Sequence, residues 1–387
     1  MVRVYSTKNV LEEAQERVSY IFDEFPNVVV GMSGGKDSTV VYELCLREAE
    51  KRGRLPLGVV FIDQEAEYQA TEDYVKTVMY DKRVKPYWLQ IPFKIFNATS
   101  NRKGKDWLWC WGEGEKWMRE KDPISIKENI YGTERFGEMF DMFMEKTFKG
   151  EKACIVGGVR AEEAPARVLS LTTTAKYKHW THAKRLSRKE EHYTMYPIYD
   201  WSYTDIWKYI HDNKVKYNKI YDGFYRYGVP IRNMRVSNLN HETAIHSLYP
   251  LQELEPKTWD KLVKRLNGVH STKNMTKQES FQPPKELPFM FKDWKEYRDY
   301  LLENLIEDEA IQEKMRNKFK HLDKKYYGYT NIQRMYKVCI STILSNDYHF
   351  TKLRNFENSP DMIKVHRDRQ RREKNGKRNR KYTGGKP

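Results

Sequence analysis

From residue 7 to residue 25 the apolar side chains Val10, Leu11, Ala14, Val18, Ile21 and Phe22 recur at the spacing that places them on one helical face. The period then changes. Val28–Met32, led by Val28, Val29 and Val30, is a short β-branched run without alternation, the pattern of a strand buried on both faces of a parallel sheet. From Val40 the apolar positions Val40, Val41, Leu44 and Cys45 return to helical spacing, so a loop joins strand to helix. Leu57–Ile62 predicts a second buried strand ending at Asp63, Tyr68–Met79 a helix, Tyr87–Phe93 a third strand and Ala153–Gly157 a fourth. Strand alternating with helix predicts an α/β fold, a doubly wound parallel sheet with ligands at the carboxyl ends of its strands. Ser202, with Asp205 three residues on, marks a capped helix start. From Asn240 the pattern is helical without strands, through Trp259–Leu266, Trp294–Ile306 and Ile332–Leu344, which predicts a separate helical domain.

The loop after the first strand reads Ser33-Gly34-Gly35-Lys36-Asp37-Ser38. Two residues without a Cβ let the main chain take positive φ and approach a ligand closely. Asp37, Ser38 and Thr39 suit a helix N-terminus. Main-chain N–H groups at that terminus, the helix dipole and the Lys36 ammonium together make an anion site, and phosphate is its natural guest. A Walker loop needs G-x-x-x-x-G-K-[ST]; here Gly35-Lys36 is followed by Asp37, and Val30 stands where the first glycine belongs. The dinucleotide fingerprint G-x-G-x-x-G is absent from the loop as well.

Composition narrows the class. The chain of 387 residues, 39% hydrophobic and 14% aromatic, is long enough for a large domain and a smaller one. No apolar run approaches a membrane span, and Met1-Val2-Arg3-Val4-Tyr5 lacks a secretory h-region, so a cytoplasmic protein with no membrane partner is expected. Cys45, Cys110, Cys154 and Cys339 are scattered, without the paired spacing of a zinc site, an iron–sulfur cluster or a disulfide framework. Of the net charge of +16, residues 364–387 carry +9, from eleven Lys and Arg against Asp368 and Glu373. Such a segment is expected to be disordered, and either binds nucleic acid or aids solubility. Between the third and fourth strands, Asp106-Trp-Leu-Trp-Cys-Trp-Gly112 gathers three tryptophans around Cys110, either as core or as a platform on which a base stacks.

Several stretches agree with one family. Ser33–Ser38, the segment Gly157-Gly158-Val159-Arg160-Ala161-Glu162-Glu163 to Arg167, and Pro197–Trp201 with Asp205-Ile206-Trp207 resemble the successive motifs of the phosphoadenylyl-sulfate (PAPS) reductase family. The Trp-rich insert, Tyr225–Pro230, Met234-Arg235-Val236 and the region through Trp259, Arg265 and Gly268 are similar to its longer bacterial and phage members, including the type called immunoglobulin-binding regulator A. The resemblance implies a PP-loop, Rossmann-like domain over 7–235 with a Trp-rich insertion near 100–150, a helical C-terminal domain over 236–350 and a basic disordered tail over 351–387. It implies that Ser33, Gly34, Gly35, Lys36, Asp37, Ser38, Asp63, Gly158, Arg160 and Arg167 bind an adenosine nucleotide, ATP or PAPS. Asp63 would lie near the adenosine and the arginines at the anionic end, where a guanidinium fork matches phosphate or sulfate. Asp37 would bind Mg2+ if the nucleotide is ATP.

One departure stands out. The family attacks sulfur with a cysteine in a C-terminal Glu-Cys-Gly-type segment, and residues 340–387 hold no cysteine. Cys339 sits in an apolar helical pattern, a poor setting for a thiolate. Either Cys110 or an outside thiol takes over, or the scaffold does different chemistry, and Lys36, Arg160 and Cys110 are the candidate catalytic residues. The leading expectation is an enzyme acting at the phosphosulfate or α-phosphate of the nucleotide. Two alternatives stay open: a nucleotide-sensing transcriptional or defence regulator without turnover, which binds DNA or a partner protein, and an ATP-dependent modification of RNA or DNA.

Overall fold

Asn9 and Glu12 exchange side-chain and main-chain hydrogen bonds at the start of helix α1 (Val10–Glu24), whose buried face is Ala14, Val18, Ile21 and Phe22. The protein is described by a computed structural model, which covers residues 6–97, 107–187, 189–231, 234–236, 238–241, 245–266, 269, 282–306, 308–345, 347–365 and 367. After α1 come β1 (Asn27–Gly31), α2 (Lys36–Lys51), β2 (Leu57–Ile62), α3 (Gln69–Met79) and β3 (Val84–Leu89). A hairpin of β4 (Phe93–Phe96) and β5 (Trp107–Cys110) follows, then α4 (Phe136–Thr147), β6 (Ala153–Val156), α5 (Pro165–Thr172), β7 (Ala183–Arg185), β8 (His192–Met195), α6 (Tyr203–Asp212), α7 (Ile220–Tyr227), α8 (Ile245–Leu254) and α9 (Pro256–Arg265).

The six-stranded sheet has the order β3-β2-β1-β6-β8-β7, parallel except for the β7 edge. Every residue of β2 and β6 is buried, as expected of strands covered on both faces. The chain runs outward from β1 to β2 and β3, then crosses to β6 on the other side, so β1 and β6 form the topological switch point. A crevice opens outside the carboxyl ends of strands at such a point. The loop at 32–35 and the residues following Val156 border it.

The strands legible from the apolar runs are present at Asn27–Gly31, Leu57–Ile62, Val84–Leu89 and Ala153–Val156. The third lies some residues earlier than the run Tyr87–Phe93, because its latter part turns into the β4–β5 hairpin. That hairpin uses the Trp-rich insert: Leu108 and Cys110 are buried, and Trp107 stays 41% exposed.

The chain divides into two compact units, residues 1–100 with 107–273, and residues from 274 on. The helical region does not separate at residue 236. Leu248 and Leu251 of α8 and Trp259 and Leu262 of α9 belong to the same apolar cluster as Val29 of β1 and Val60 of β2. In the second unit, α10 (Trp294–Leu305), α11 (Glu309–Lys325), α12 (Ile332–Leu344) and α13 (Thr351–Glu357) enclose a core that includes Met315, Phe319, Met335 and Cys339. Leu353, Phe356 and Met362 are buried in it, so the expected disordered tail does not begin at 351. Residues 368–387, with most of the tail's charge, lie outside the described residues. Among the described residues no helix is long and apolar enough to cross a membrane.

Candidate nucleotide site

The loop between β1 and α2 is shaped by its own side chains. Gly34 has φ +70°, and a Cβ there would stand 2.6 Å from Thr71 Cγ2 of α3, so both the backbone and the neighbour demand glycine. Gly35 is the N-cap residue of α2, and its carbonyl accepts from the Ser38 and Thr39 hydroxyls at 2.9 Å each. The Ser33 and Ser38 hydroxyls lie 3.0 Å apart. From outside the loop, Asn218 donates to the Gly34 carbonyl (3.1 Å) and to Thr71 Oγ1 (2.8 Å), while the Tyr221 hydroxyl accepts from the Lys36 N–H (3.1 Å). Sequence reading missed Asn218 and Tyr221, which are distant in the chain and carry no local motif.

On the β6 side, Gly158 meets the first turn of α2 backbone to backbone: a Cβ on Gly158 would lie 2.6 Å from the Asp37 carbonyl carbon and 2.7 Å from Ser38 N. Lys36 and Arg160, both buried, converge on the Asp37 carboxylate, with Lys36 Nζ on Oδ2 at 3.0 Å and Arg160 Nε on Oδ1 at 2.5 Å. Asp37, the expected Mg2+ ligand, thus holds one cation on each oxygen. Arg160, expected at the anionic end, braces Asp37 through Nε; its NH1 donates to Glu162 (2.8 Å) and the Trp201 carbonyl (3.2 Å), and its NH2 lies 3.9 Å from Glu163. The more open guanidinium is Arg167, 42% exposed at its side chain and ion-paired with Glu163. Arg235, whose NH2 donates to the Glu163 carbonyl (3.0 Å), lies close enough that burial and Arg235 together lower the Arg167 pKa. Two guanidinium groups held against their mutual repulsion form a receptive place for an anion.

On the β2 side the expectation for Asp63 also changes. It stands at the end of β2 as predicted, but it is fully buried and saturated. It accepts from Glu65 N (2.9 Å), Trp88 Nε1 (2.8 Å), Gln90 Nε2 (2.9 Å) and both ways from Arg119 NH2 (2.6 and 2.7 Å). Asp63, expected near the adenosine, therefore anchors the strand end, with both carboxylate oxygens held by protein donors. Glu65 next to it has φ +63° and is fully buried. Its carboxylate takes the main-chain N–H of Trp111 (3.0 Å) and Met118 (3.2 Å) and a two-pronged contact from Arg265 of α9 (2.6 and 3.1 Å). Glu255, at the start of α9, accepts from Gln69 N (2.7 Å) and Ala70 N (3.0 Å), capping α3, whose own N-cap residue Tyr68 offers no side chain. The segment 63–70 is thus clamped from below by Arg119 and from outside by α9.

The comparisons with known proteins follow this geometry. Residues 27–228 match the phosphoadenosine phosphosulfate reductase domain family, and residues 228–371 match a domain of unknown function, DUF3440. The chain belongs to the PAPS reductase domain family. It is similar to the uncharacterized protein YbdN of Escherichia coli K12, 28% identical, over 92% of this chain and 94% of that protein. An uncharacterized protein of Methanocaldococcus jannaschii is 29% identical over 56% of this chain and 44% of its own length. Among solved structures, Candida glabrata FMN adenylyltransferase covers 61% of this chain and 66% of its own (16% identity, TM-score 0.37). The PAPS reductase of Candida auris covers 57% of this chain and 94% of its own (14% identity, TM-score 0.29).

Within this PAPS reductase domain chain all four cysteines are buried. Burial pushes the Cys45, Cys110 and Cys154 thiols up, and Cys339 to about 12. Cys110, the expected alternative nucleophile, donates its S–H to the Gln64 carbonyl at 3.2 Å, and the Glu65 carboxylate nearby opposes its ionisation further. It is a packing residue of the hairpin, which corrects its candidacy for catalysis. Among the described residues no cluster of three His, Cys, Asp or Glu is arranged to hold a metal ion.

Proposed function

We propose that the chain binds ATP at the Ser33–Ser38 loop and transfers its adenylyl group to an acceptor, releasing pyrophosphate. The observation that carries this choice over PAPS reduction is the burial of every thiol in the chain: attack on a sulfonyl sulfur needs a thiolate, and each one here is disfavoured. The PP-loop needs no thiol. Gly34, at φ +70°, and Gly158, packed against the first turn of α2, bring the loop and the segment after β6 onto the helix start, whose N–H groups have no intrahelical partners, the Lys36 N–H being held by Tyr221. Lys36, with one of its three donors on Asp37, supports the charge that develops on departing pyrophosphate. Arg167 and Arg235 take the remaining anionic group. Mg2+ would be held through the phosphates, since Asp37 is engaged.

The test is product analysis. Incubation with ATP, Mg2+ and RNA or DNA as acceptor gives pyrophosphate and adenylylated polymer, and PAPS with a free thiol gives no sulfite; sulfite release overturns the proposal, and tight ATP binding with neither product supports the regulator reading in its place. Lys36→Ala removes a charge-assisted contact worth ~1.5–3 kcal/mol and weakens ATP binding roughly 10- to 150-fold by calorimetry. Equal affinity in the mutant would remove Lys36 from the site.

The net +9 of residues 364–387 favours a polyanionic acceptor, RNA or DNA. Deleting this segment should weaken nucleic-acid binding alike for all sequences and flatten its salt dependence, because phosphate contacts carry no base information. An anisotropy titration at several salt concentrations checks this: identical affinity and slope with and without the segment rule out the tail as a nucleic-acid arm.

A further inference from the structure

We propose that the outward face of the β4–β5 hairpin holds a single-stranded nucleic acid, with Trp107 stacking on a base and Lys94 taking a phosphate. Resting on the adenylyl-transfer reading, this makes the acceptor an unpaired strand of RNA or DNA.

The hairpin has two unlike faces. Successive side chains point to opposite sides of a strand. Phe93 and Ile95 of β4 and Leu108 and Cys110 of β5 are buried, in the apolar cluster that also holds Ile62 and Leu89. The other face carries Lys94, Phe96, Trp107 and Trp109. A ribbon with one face in the core ordinarily turns polar residues to water. Here three of the four outward residues are aromatic and the fourth is a lysine. Register sets Lys94 opposite Trp109 and Phe96 opposite Trp107. The Phe96 and Trp107 rings meet edge to face, with centroids 6.1 Å apart and planes at 83°, so Phe96 props the indole and leaves it 41% exposed. Lys94 Nζ stands 4.3 Å from the centre of the Trp109 ring, which holds the ammonium on the same face.

An exposed indole beside an ammonium matches the two parts of a nucleotide outside a duplex. Bases in a duplex cover one another's π faces, whereas an unpaired base stacks on an aromatic ring and leaves its phosphate to a nearby cation. Charge favours the same occupant. Lys94 is ion-paired with Glu134 at 3.0 Å, but both side chains lie at the surface, and a phosphate replaces such a partner at little cost. The chain that joins the two strands adds Arg102, Lys103 and Lys105 against Asp106.

The placement suits an acceptor. Trp111, just past β5, donates its indole N–H to the Asp63 carbonyl (2.7 Å), and Cys110 donates to the Gln64 carbonyl (3.2 Å). The hairpin is therefore fixed at the carboxyl end of β2, the strand beside β1, at the edge of the sheet where the glycine loop also opens.

The experiment follows binding of a labelled adenine homopolymer, as DNA and as RNA, to the full chain by anisotropy. Wild type, Trp107→Ala, Trp107→Phe and Lys94→Gln are compared, with the same strands annealed to their complements as duplex controls and thermal melting to show that each variant is folded. Loss of one base stack weakens single-strand binding of Trp107→Ala roughly 5- to 150-fold, with duplex binding and the salt slope unchanged. Trp107→Phe, which keeps a π face, recovers most of the affinity. Lys94→Gln lowers the salt slope by about 0.7. A folded Trp107→Ala that binds single strands as wild type does, or that loses single-strand and duplex binding equally, overturns the proposal. So does a change in the oligomeric state of Trp107→Ala by light scattering, which would make this face an interface between copies of the chain. ATP affinity, measured by calorimetry on the same variants, stays at the wild-type value. Wild type that binds the strand but not ATP overturns the adenylyl-transfer reading and leaves the hairpin a nucleic-acid site; wild type that binds ATP but neither strand overturns only the hairpin.

Discussion

Alanine at Gly158 lowers ATP affinity roughly 10- to 150-fold, the cost of losing charge-assisted phosphate contacts worth ~1.5–3 kcal/mol. The added methyl would sit 2.6–2.8 Å from the Asp37 carbonyl carbon and oxygen and the Ser38 nitrogen, all main-chain atoms at the start of α2. No rotamer change relieves such a contact. Either the segment after β6 withdraws, taking Arg160 away from Asp37, or the first turn of α2 tilts and its N–H groups lose their aim. Overpacking of this kind costs ~1–3 kcal/mol of stability, so the variant still folds and its affinity is measurable. Calorimetry against Gly137→Ala, where a Cβ meets nothing within 4 Å, separates the effect from glycine replacement in general. Wild-type affinity in Gly158→Ala would show that the phosphate loop does not depend on this contact.

The second large effect concerns stability. Arg265→Ala leaves the fully buried Glu65 carboxylate with two main-chain N–H groups and no countercharge from α9. Removing one partner of a buried pair costs ~3–5 kcal/mol, which for a unit of this size lowers the melting temperature by about 10 °C. The double variant Glu65→Gln with Arg265→Ala recovers part of that loss, since no buried charge is left uncompensated, and the cycle isolates the coupling. Melting of Arg265→Ala at the wild-type temperature, or strict additivity in the double variant, would remove the clamp as an energetic element.

What could be read from the sequence was local. The β1–α2 turn, the buried β2 run and the Ser202–Asp205 capping box involve residues within a few positions of one another, and each is present as expected. What could not be read was pairing across the chain. Asp63 looks like an open carboxylate at a strand end until Trp88, Gln90 and Arg119 arrive from 25 to 56 residues away. Nothing local to Arg160 announces that Asp37, 123 residues away, takes its Nε. The apolar stripes of α8 and α9 announce burial without naming the surface that receives them, and for that reason a domain boundary near 236 seemed natural on pattern alone.

The clamp on segment 63–70 also imposes an order on synthesis. Glu65 meets Arg265 across 200 residues of chain, and the α3 amides meet Glu255 across 185 and 186. On the ribosome the strands and the glycine loop emerge long before either partner exists, with a carboxylate awaiting its guanidinium and a helix awaiting its cap. The nascent protein therefore acquires this clamp late, when residue 265 has cleared the exit, and a message broken off at the end of the reductase-family match near residue 228 yields a polypeptide holding the glycine loop in a fold that nothing has yet closed.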